Sequence, residues 1–293
     1  MADSRTYRVA VTGSNGQVGK ELADLAGDYP RFQFLFLSRE EFPLDDEQKM
    51  SDWMTHNPVD IFIHCAAYTA VDKAESEKEK SFQVNATATA LIASHLSKSK
   101  TRLIYISTDY VFDGKSSTPL TEQAPTNPVN WYGNTKLNGE KFVLQNNPFS
   151  QVIRTSWVYS VYGNNFVKTM IRLMKERQSV SVVEDQIGSP TYAGDLSKAI
   201  LEMLESGKFI PGIYHYSDEG EASWFEFACE IKRLTGSGCQ IIPIPSSGFP
   251  TPAKRPAYSL LDKSKIKKDY GLLIPDWKTS LSLCIERIRK QGV

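Results

Sequence analysis

A tyrosine and a lysine four residues apart, Tyr132 and Lys136, are the pair in this sequence best suited to proton transfer. On a helix this spacing places both side chains on one face. A phenol has a pKa of about 10 in water, and it exchanges a proton near neutral pH when a nearby cation stabilises the phenolate. Lysine supplies that charge, so the pair indicates a general acid–base site. An exposed aromatic residue beside a solvated lysine would give the same pattern.

Thr108 and Asp109 follow a predicted strand over residues 102–107. The carboxyl ends of parallel strands are where α/β sheets bind ligands, and a hydroxyl there can hydrogen-bond a substrate carbonyl. Thr108, Tyr132 and Lys136 therefore form an acid–base set suited to hydride transfer. For Asp109 two roles are open, orientation of the loop or contact with the substrate.

Three glycines, Gly13, Gly16 and Gly19, follow the first predicted strand and open the first predicted helix. Glycine is needed where a turn is tight, where backbone approaches a pyrophosphate and where a helix packs closely on a strand, and the helix N-terminus favours phosphate charge. A tight strand–helix turn alone would explain the glycines, but their place in the first βαβ unit predicts a dinucleotide site. The predicted phosphate-binding turn comprises Gly13, Asn15, Gly16, Gln17, Val18 and Gly19.

The end of the second predicted strand should select between the two nicotinamide dinucleotides. A carboxylate there accepts the 2′-hydroxyl of the adenosine ribose, whereas an arginine pairs with a 2′-phosphate. The strand ends at Ser38 and Arg39, with Glu40 only afterwards. We therefore expect NADPH, and NADH remains an alternative if Glu40 turns inward. The other residues predicted to contact the cofactor are Asp45, Ala66, Ala67, Tyr68, Thr69, Tyr132 and Lys136.

Short, nearly continuous apolar runs alternate with helical patterns through the first half of the chain. Strands are predicted over residues 7–11, 32–37, 59–65 and 102–107. One long helix is predicted over residues 72–98, with Asn85 in its middle either bonding backbone across the sheet or lying on the surface. Apolar runs separated by helices are typical of a parallel sheet that is covered on both faces.

We therefore predict an α/β fold, a Rossmann-type doubly wound parallel sheet with a smaller α/β substrate-binding lobe. The NADP-binding domain should span residues 1–155, with later strands near 180–217 returning to it, and residues 156–293 should form mainly the lobe. Residues 236–256, rich in proline, glycine and serine, are predicted to be a long binding loop.

The 293 residues include 34 basic and 34 acidic side chains, scattered along the chain. This balance gives no footprint for DNA, RNA or an anionic membrane surface, so neither a nucleic acid nor a membrane is expected as a partner. No apolar stretch approaches the roughly 18 residues that span a bilayer, and no signal-like segment opens the chain, so we expect a cytoplasmic protein. The 4 cysteines lie far apart, which indicates neither a disulfide framework nor a metal site.

Several longer motifs, in the same order over nearly the whole chain, resemble the dTDP-4-dehydrorhamnose reductases, a family in the extended branch of the short-chain dehydrogenase/reductase superfamily. The GxxGxxG spacing of the glycine turn is also the form found in that branch. The motifs are AAYTAVDKAE (66–75), STDYVF (107–112), YGNTKL (132–137), RTSWVY (154–159), GNNF (163–166), DQIGSPT (185–191) and TPAKRP (251–256). Seven motifs in the same order identify the family far more specifically than any one of them.

The resemblance implies an NADPH-dependent oxidoreductase that reduces the C4 keto group of a dTDP-linked 4-keto-6-deoxyhexose. In that reaction Tyr132 would donate the proton, Lys136 would lower its pKa and Thr108 would hold the carbonyl oxygen. Trp157 would contact the sugar, although a core aromatic residue would look the same in the sequence. The residues assigned to the substrate are Thr108, Asp109, Trp157, Asn165 and Arg255, the last two as holders of the diphosphate.

The sequence also departs from the family. Its best-known bacterial members form a magnesium-linked dimer through acidic residues of the first helix and the late chain. Glu21 matches the first of these, but residues 192–195 do not clearly supply its partner. No metal ligand is therefore assigned, Mg²⁺ stays undecided, and the protein is either a monomer or a homodimer.

Two other functions stay open. One is another extended-branch nucleotide-sugar reductase or epimerase, and the other is a non-catalytic NADP-binding regulatory subunit resembling that of methionine adenosyltransferase. The presence of Thr108, Tyr132 and Lys136 together favours catalysis.

Overall fold

The computed structural model describes residues 5–291 of the chain. These residues contain twelve strands and eleven α-helices. The strands are β1 (Tyr7–Thr12), β2 (Phe32–Leu37), β3 (Ile61–His64), β4 (Arg102–Thr108), β5 (Ser150–Thr155), β6 (Val158–Tyr159), β7 (Ser179–Val183), β8 (Ile187–Gly188), β9 (Thr191–Tyr192), β10 (Gly212–His215), β11 (Ala222–Ser223) and β12 (Gln240–Ile244). The helices are α1 (Gln17–Leu25), α2 (Glu47–His56), α3 (Val71–Ala74), α4 (Lys78–Phe82), α5 (Ala88–Lys98), α6 (Trp131–Asn146), α7 (Phe166–Glu176), α8 (Ala193–Glu205), α9 (Trp224–Thr235), α10 (Ser264–Tyr270) and α11 (Trp277–Lys290).

Six parallel strands form the central sheet in the order β10, β5, β4, β3, β1, β2. The chain leaves β1 for β2 on one side and returns to β3 on the other side of β1. In open α/β sheets the crevice beyond the carboxyl ends of the strands at such a reversal is where ligands bind. The predicted Rossmann-type doubly wound fold is confirmed.

Alternate residues of the strands pack on opposite faces of the sheet. Val9 and Val11 of β1 lie in an apolar cluster with side chains of α1 and α8, whereas Ala10 lies in a second cluster with side chains of α2 and α5. Helices therefore shield both faces of the sheet from solvent, which explains why the strands are apolar at nearly every position.

The single helix predicted over residues 72–98 is wrong, because the segment is interrupted. α3 and α4 are separated at residues 75–77, where the Ser76 hydroxyl donates to the Lys73 carbonyl at 3.0 Å and competes with the helical pattern. A π-helical turn over Gln83–Thr87 then separates α4 from α5. This wider turn holds Asn85, and π-turns of this kind are frequent at functional sites.

A third apolar cluster lies outside the central sheet. It joins side chains of α7, α9 and α11 to the parallel pair β7 and β12, while the short strands β6, β8, β9 and β11 pair among themselves. Of the strands near 180–217 that we expected in the central sheet, β10 pairs with β5, whereas β7 pairs with β12. The segment 236–256 is not wholly the loop that we predicted, because Gln240–Ile244 form strand β12, which pairs in parallel with β7.

None of the helices within residues 5–291 is both long enough and apolar enough to cross a membrane.

Candidate active site

A crevice of about 750 Å³ opens at the carboxyl ends of the central strands. It brings together most of the residues that the sequence singled out, from both halves of the chain. Those that line it are Gly13, Gly16, Gln17, Val18, Gly19, Ser38, Arg39, Asp45, Ala66, Ala67, Tyr68, Thr69, Thr108, Asp109, Tyr132, Lys136 and Trp157. Asn15, Asn165 and Arg255 are not among the lining residues.

The glycine turn leaves room for backbone and ligand where side chains would clash. Gly13 has a φ of +71°, and a Cβ there would lie 2.7 Å from the amide nitrogen of Ala66. The turn is closed by the Gly16 amide, which donates to the Gly13 carbonyl at 2.9 Å, and α1 then begins at Gln17. The first amides of this helix therefore face the crevice, an arrangement that fits a dinucleotide pyrophosphate.

Arg39 lies at the end of the crevice next to β2 and is largely exposed. Its guanidinium pairs with the Asp45 carboxylate at 3.2 Å. The Ser38 amide donates to the Glu41 side chain at 2.7 Å, which fixes the loop that carries Arg39. Both a cation and a carboxylate thus stand at this end of the crevice.

Lys136 is buried in α6 and has few polar neighbours. Its Nζ donates to the Ile106 carbonyl at 2.8 Å and lies 4.0 Å from the centroid of the Tyr105 ring. Burial lowers the pKa of Lys136 to about 7, while Glu140 and Cys65 act in the opposite direction. The ammonium group is therefore poised to gain or lose a proton near neutral pH.

Tyr132 lies one helical turn before Lys136 and is also buried. Burial raises the pKa of this phenol, Asp109 raises it further, and a hydrogen bond with Thr108 acts in the opposite direction. The Tyr110 ring packs edge-on against it at 5.7 Å. In the ligand-free protein the phenol is therefore held protonated, the state that a proton donor requires.

Thr108 and Asp109 form a buried pair beside the phenol. The Thr108 hydroxyl donates to Asp109 Oδ1 at 3.1 Å, and Oδ2 of Asp109 has no hydrogen-bond partner among the described residues. Burial raises the pKa of Asp109 to about 6, whereas the hydroxyls of Ser259 and Thr108 lower it. Oδ2 is therefore a buried acceptor without a partner, in a residue that lines the crevice.

Asn85 connects the crevice wall to α6. Its side chain accepts from the Tyr68 amide at 2.8 Å and donates to the Tyr68 carbonyl at 3.0 Å and to the Thr135 hydroxyl at 2.9 Å. Of the two alternatives left by the sequence, the contact with backbone is confirmed. Asn85 thereby fixes the loop after β3 against the helix that carries Tyr132 and Lys136.

Trp157 reaches the crevice from a strained turn between β5 and β6. Its φ of +47° is unusual for a bulky residue and costs about 1–3 kcal/mol. Trp224, which the sequence did not single out, stacks on it with ring centroids 3.7 Å apart and also lines the crevice. The only signal in the sequence was the aromatic cluster at 224–227.

Asn165 and Arg255 have partners within the chain. Asn165 caps α7 by accepting from the Lys168 amide, and its amide group donates to Gln17 Oε1 at 2.9 Å. Arg255 forms a two-pronged ion pair with Asp72, at 2.8 and 2.9 Å, which ties the late loop to α3. Their predicted contact with a diphosphate stays a prediction.

Glu21 was the candidate for a magnesium ligand, and its surroundings do not fit that role. Its Oε1 accepts from the Ser160 hydroxyl at 2.5 Å, and its Oε2 pairs with the Arg287 guanidinium at 2.6 Å. Within residues 5–291 no three side chains of the His, Cys, Asp or Glu type form a metal-binding group. A guanidinium already neutralises the carboxylate that a divalent cation would need.

Known proteins of one family are similar to this chain over nearly its whole length. The family model described as "RmlD substrate binding domain" matches residues 7–290. A dTDP-4-dehydrorhamnose reductase from Sinorhizobium fredii is 41% identical over 97% of this chain and 99% of its own length. A crystal structure of the Bacillus anthracis dTDP-4-dehydrorhamnose reductase in complex with NADP has a TM-score of 0.92, with 36% identity over 96% of this chain and 99% of that one. The corresponding Clostridium acetobutylicum structure has a TM-score of 0.91, at the same identity and coverage.

Proposed function

The chain belongs to the RmlD substrate binding domain family, and on that premise we propose that it is a dTDP-4-dehydrorhamnose reductase. It would reduce the C4 keto group of dTDP-4-dehydro-β-L-rhamnose to give dTDP-L-rhamnose. The observation that carries this proposal is the meeting of Thr108, Tyr132 and Lys136 in one crevice with the glycine turn. The proposed substrate is taken from the names of the relatives, and the proposed acid–base chemistry rests on the residues that line the crevice.

The cofactor proposed is NADPH, which supplies a hydride when bound. The amides at the start of α1 and the space above Gly13 would hold its pyrophosphate, and Arg39 would pair with its 2′-phosphate. Ala66 and Ala67 offer small side chains where the dinucleotide passes. NADH remains the alternative to NADPH, because Asp45 can accept a hydrogen bond from a ribose 2′-hydroxyl at the same end of the crevice.

Tyr132 is the proposed proton donor. Its raised pKa keeps the phenol protonated until negative charge develops on the C4 oxygen, which then takes the proton. The Thr108 hydroxyl would turn its one proton from Asp109 to that oxygen and stabilise the developing charge. Transfer leaves a buried phenolate, and a protonated Lys136, four residues further along α6, would stabilise that phenolate and so oppose the rise in the Tyr132 pKa that burial causes.

The sugar would lie between Asp109 and Trp157. Asp109 would turn its buried, unpartnered Oδ2 toward the crevice to accept a hydrogen bond from a sugar hydroxyl, and the Trp157 ring suits the apolar face of a deoxyhexose. Asn165 and Arg255 are kept as holders of the diphosphate, and Arg255 would then have to exchange Asp72 for phosphate oxygens.

The remaining expectations belong to this proposal as well. Residues 1–155 would form the cofactor domain and residues 156–293 mainly the substrate lobe. The enzyme would act in the cytoplasm as a monomer or a homodimer, and the sequence leaves Mg²⁺ undecided.

The experiment that tests the proposal follows the absorbance of the reduced nicotinamide with dTDP-4-dehydrorhamnose generated in situ. We expect oxidation of NADPH that depends on the nucleotide sugar. No oxidation of NADPH or NADH would overturn the proposal and favour a related nucleotide-sugar enzyme or a regulatory subunit. Oxidation with a UDP-linked 4-keto sugar alone would retain the chemistry but replace the substrate.

A further inference from the structure

Two hydrogen bonds to the segment 189–191 hold Trp157 in an unusual backbone conformation. The carbonyl of Trp157 accepts from the Thr191 amide at 3.3 Å, and the hydroxyl of Ser156 donates to the Ser189 carbonyl at 2.7 Å. With a φ of +47°, the turn points the indole to the crevice wall instead of along the strand. Strained residues of this kind persist where the surrounding structure over-determines them, often at ligand clamps.

Two residues restrict the Trp157 ring. The Trp224 indole covers one face, with planes only 12° from parallel. Gly188 lies at the ring edge, where a Cβ would come within 2.9 Å of Cε2 of Trp157. One face is thus covered and one edge confined, so the ring cannot swing away without breaking the stack.

One small antiparallel pair of strands connects the two supports. Ala222 of β11 pairs with Gly188 of β8, and Trp224 begins α9 directly after β11. Ser223 caps this helix in a reciprocal capping box with Glu226, which fixes the first helical residue. Phe166 packs against the indole of Trp224 at 4.7 Å. Trp224 is therefore a rigid support.

We infer that Trp224 is a positioning residue for the nucleotide sugar, acting through Trp157. Together with Gly188 it locks the Trp157 indole into a fixed wall against which the apolar face of the deoxyhexose packs. The inference rests on the proposed function, in which Trp157 contacts the sugar. Because the ring is already ordered before the sugar binds, binding does not have to offset the entropic cost of ordering it.

The test compares Trp224→Ala with the unaltered enzyme in steady-state kinetics. The KM for the nucleotide sugar should rise about tenfold, with kcat changed less than about threefold, since the lost contact serves substrate binding. The KM for NADPH should not change. The exciton signal of the stacked indoles in circular dichroism should disappear. Trp224→Phe keeps an aromatic face and should restore most of the sugar affinity.

Trp277→Leu is the matched control, because Trp277 packs edge-on against Phe227 in the same apolar cluster but does not line the crevice. It should lower the melting temperature without altering the KM for the sugar. A Trp224→Ala enzyme with unchanged KM, or one whose kcat alone falls, would overturn the inference, because a smaller folded fraction lowers only kcat. Lack of turnover by the unaltered enzyme would overturn the proposed function itself and this inference with it.

Discussion

The Arg287 guanidinium of the last helix lies 2.6 Å from the buried Glu21 carboxylate of the first helix. A second nitrogen of the same guanidinium lies 2.7 Å from Asp24, and the Tyr192 hydroxyl joins the cluster. Glu21 is 1% exposed, so the ion pair offsets the cost of burying its carboxylate. The ion pair fastens helix α11 to α1, the helix that follows the glycine turn.

Arg287→Ala should destabilise the protein. Removing the guanidinium leaves a buried carboxylate unpaired, and we expect the free energy of unfolding to fall by about 2–3 kcal/mol, somewhat less than for a fully buried pair because Arg287 is partly exposed. Urea denaturation measures this. Arg172→Ala, which removes the exposed pair with Glu176, is the control and should change stability by less than about 0.5 kcal/mol.

Chelation should leave the enzyme unaffected. Because Arg287 already neutralises Glu21, treatment with EDTA should alter neither the turnover nor the melting temperature. Both are measured before and after dialysis, with and without added Mg²⁺. A loss that Mg²⁺ restores would show that a metal-linked assembly exists after all.

Tyr132→Phe should abolish most turnover and retain cofactor binding. The substitution removes only the hydroxyl that donates the proton, so kcat should fall by at least about a hundredfold while the dissociation constant for NADPH stays the same. Steady-state assays measure kcat, and fluorescence titration measures the dissociation constant for NADPH. A variant that turns over near the unaltered rate would exclude Tyr132 as the donor.

The buried Lys136 should make stability depend on pH. Its pKa is about 7 in the fold against 10.5 for an ordinary lysine, so between these values the unfolded chain keeps a proton that the folded chain has lost. The contribution of Lys136 to the free energy of unfolding therefore rises with pH from about 7 to 10.5 and is flat below 7. Denaturation of the cofactor-free protein across this range should show the rise, and Lys136→Met should lack it. The same slope in both proteins would contradict the buried position.

Arg39 and Asp45 should have opposite effects on cofactor choice. Arg39→Ala removes the partner of the 2′-phosphate and should raise the KM for NADPH about tenfold or more, with little change for NADH. Asp45→Asn frees Arg39 from its ion pair and should shift preference toward NADPH. The ratio of kcat/KM for the two cofactors is the measurement. Equal effects of Arg39→Ala on both would show that Arg39 does not bind the 2′-phosphate.

The sequence by itself determined the features that depend on local chemistry. The glycines of the first turn identify the phosphate-binding turn because a side chain at Gly13 would collide with backbone wherever that turn occurs. Apolar runs on both faces of a strand require covered sheet faces, which gave the doubly wound fold. The spacing of Tyr132 and Lys136 requires one helical face.

Tertiary structure alone decided the features that depend on residues far apart in the chain and on burial. Arg255 has the right chemistry for a phosphate, but only the fold places Asp72 within 2.8 Å of it. Trp224 and Arg287 looked unremarkable in the sequence because their partners, Trp157 and Glu21, lie in distant segments. The pKa of Lys136 is likewise a property of packing, since desolvation depends on every element that covers the side chain.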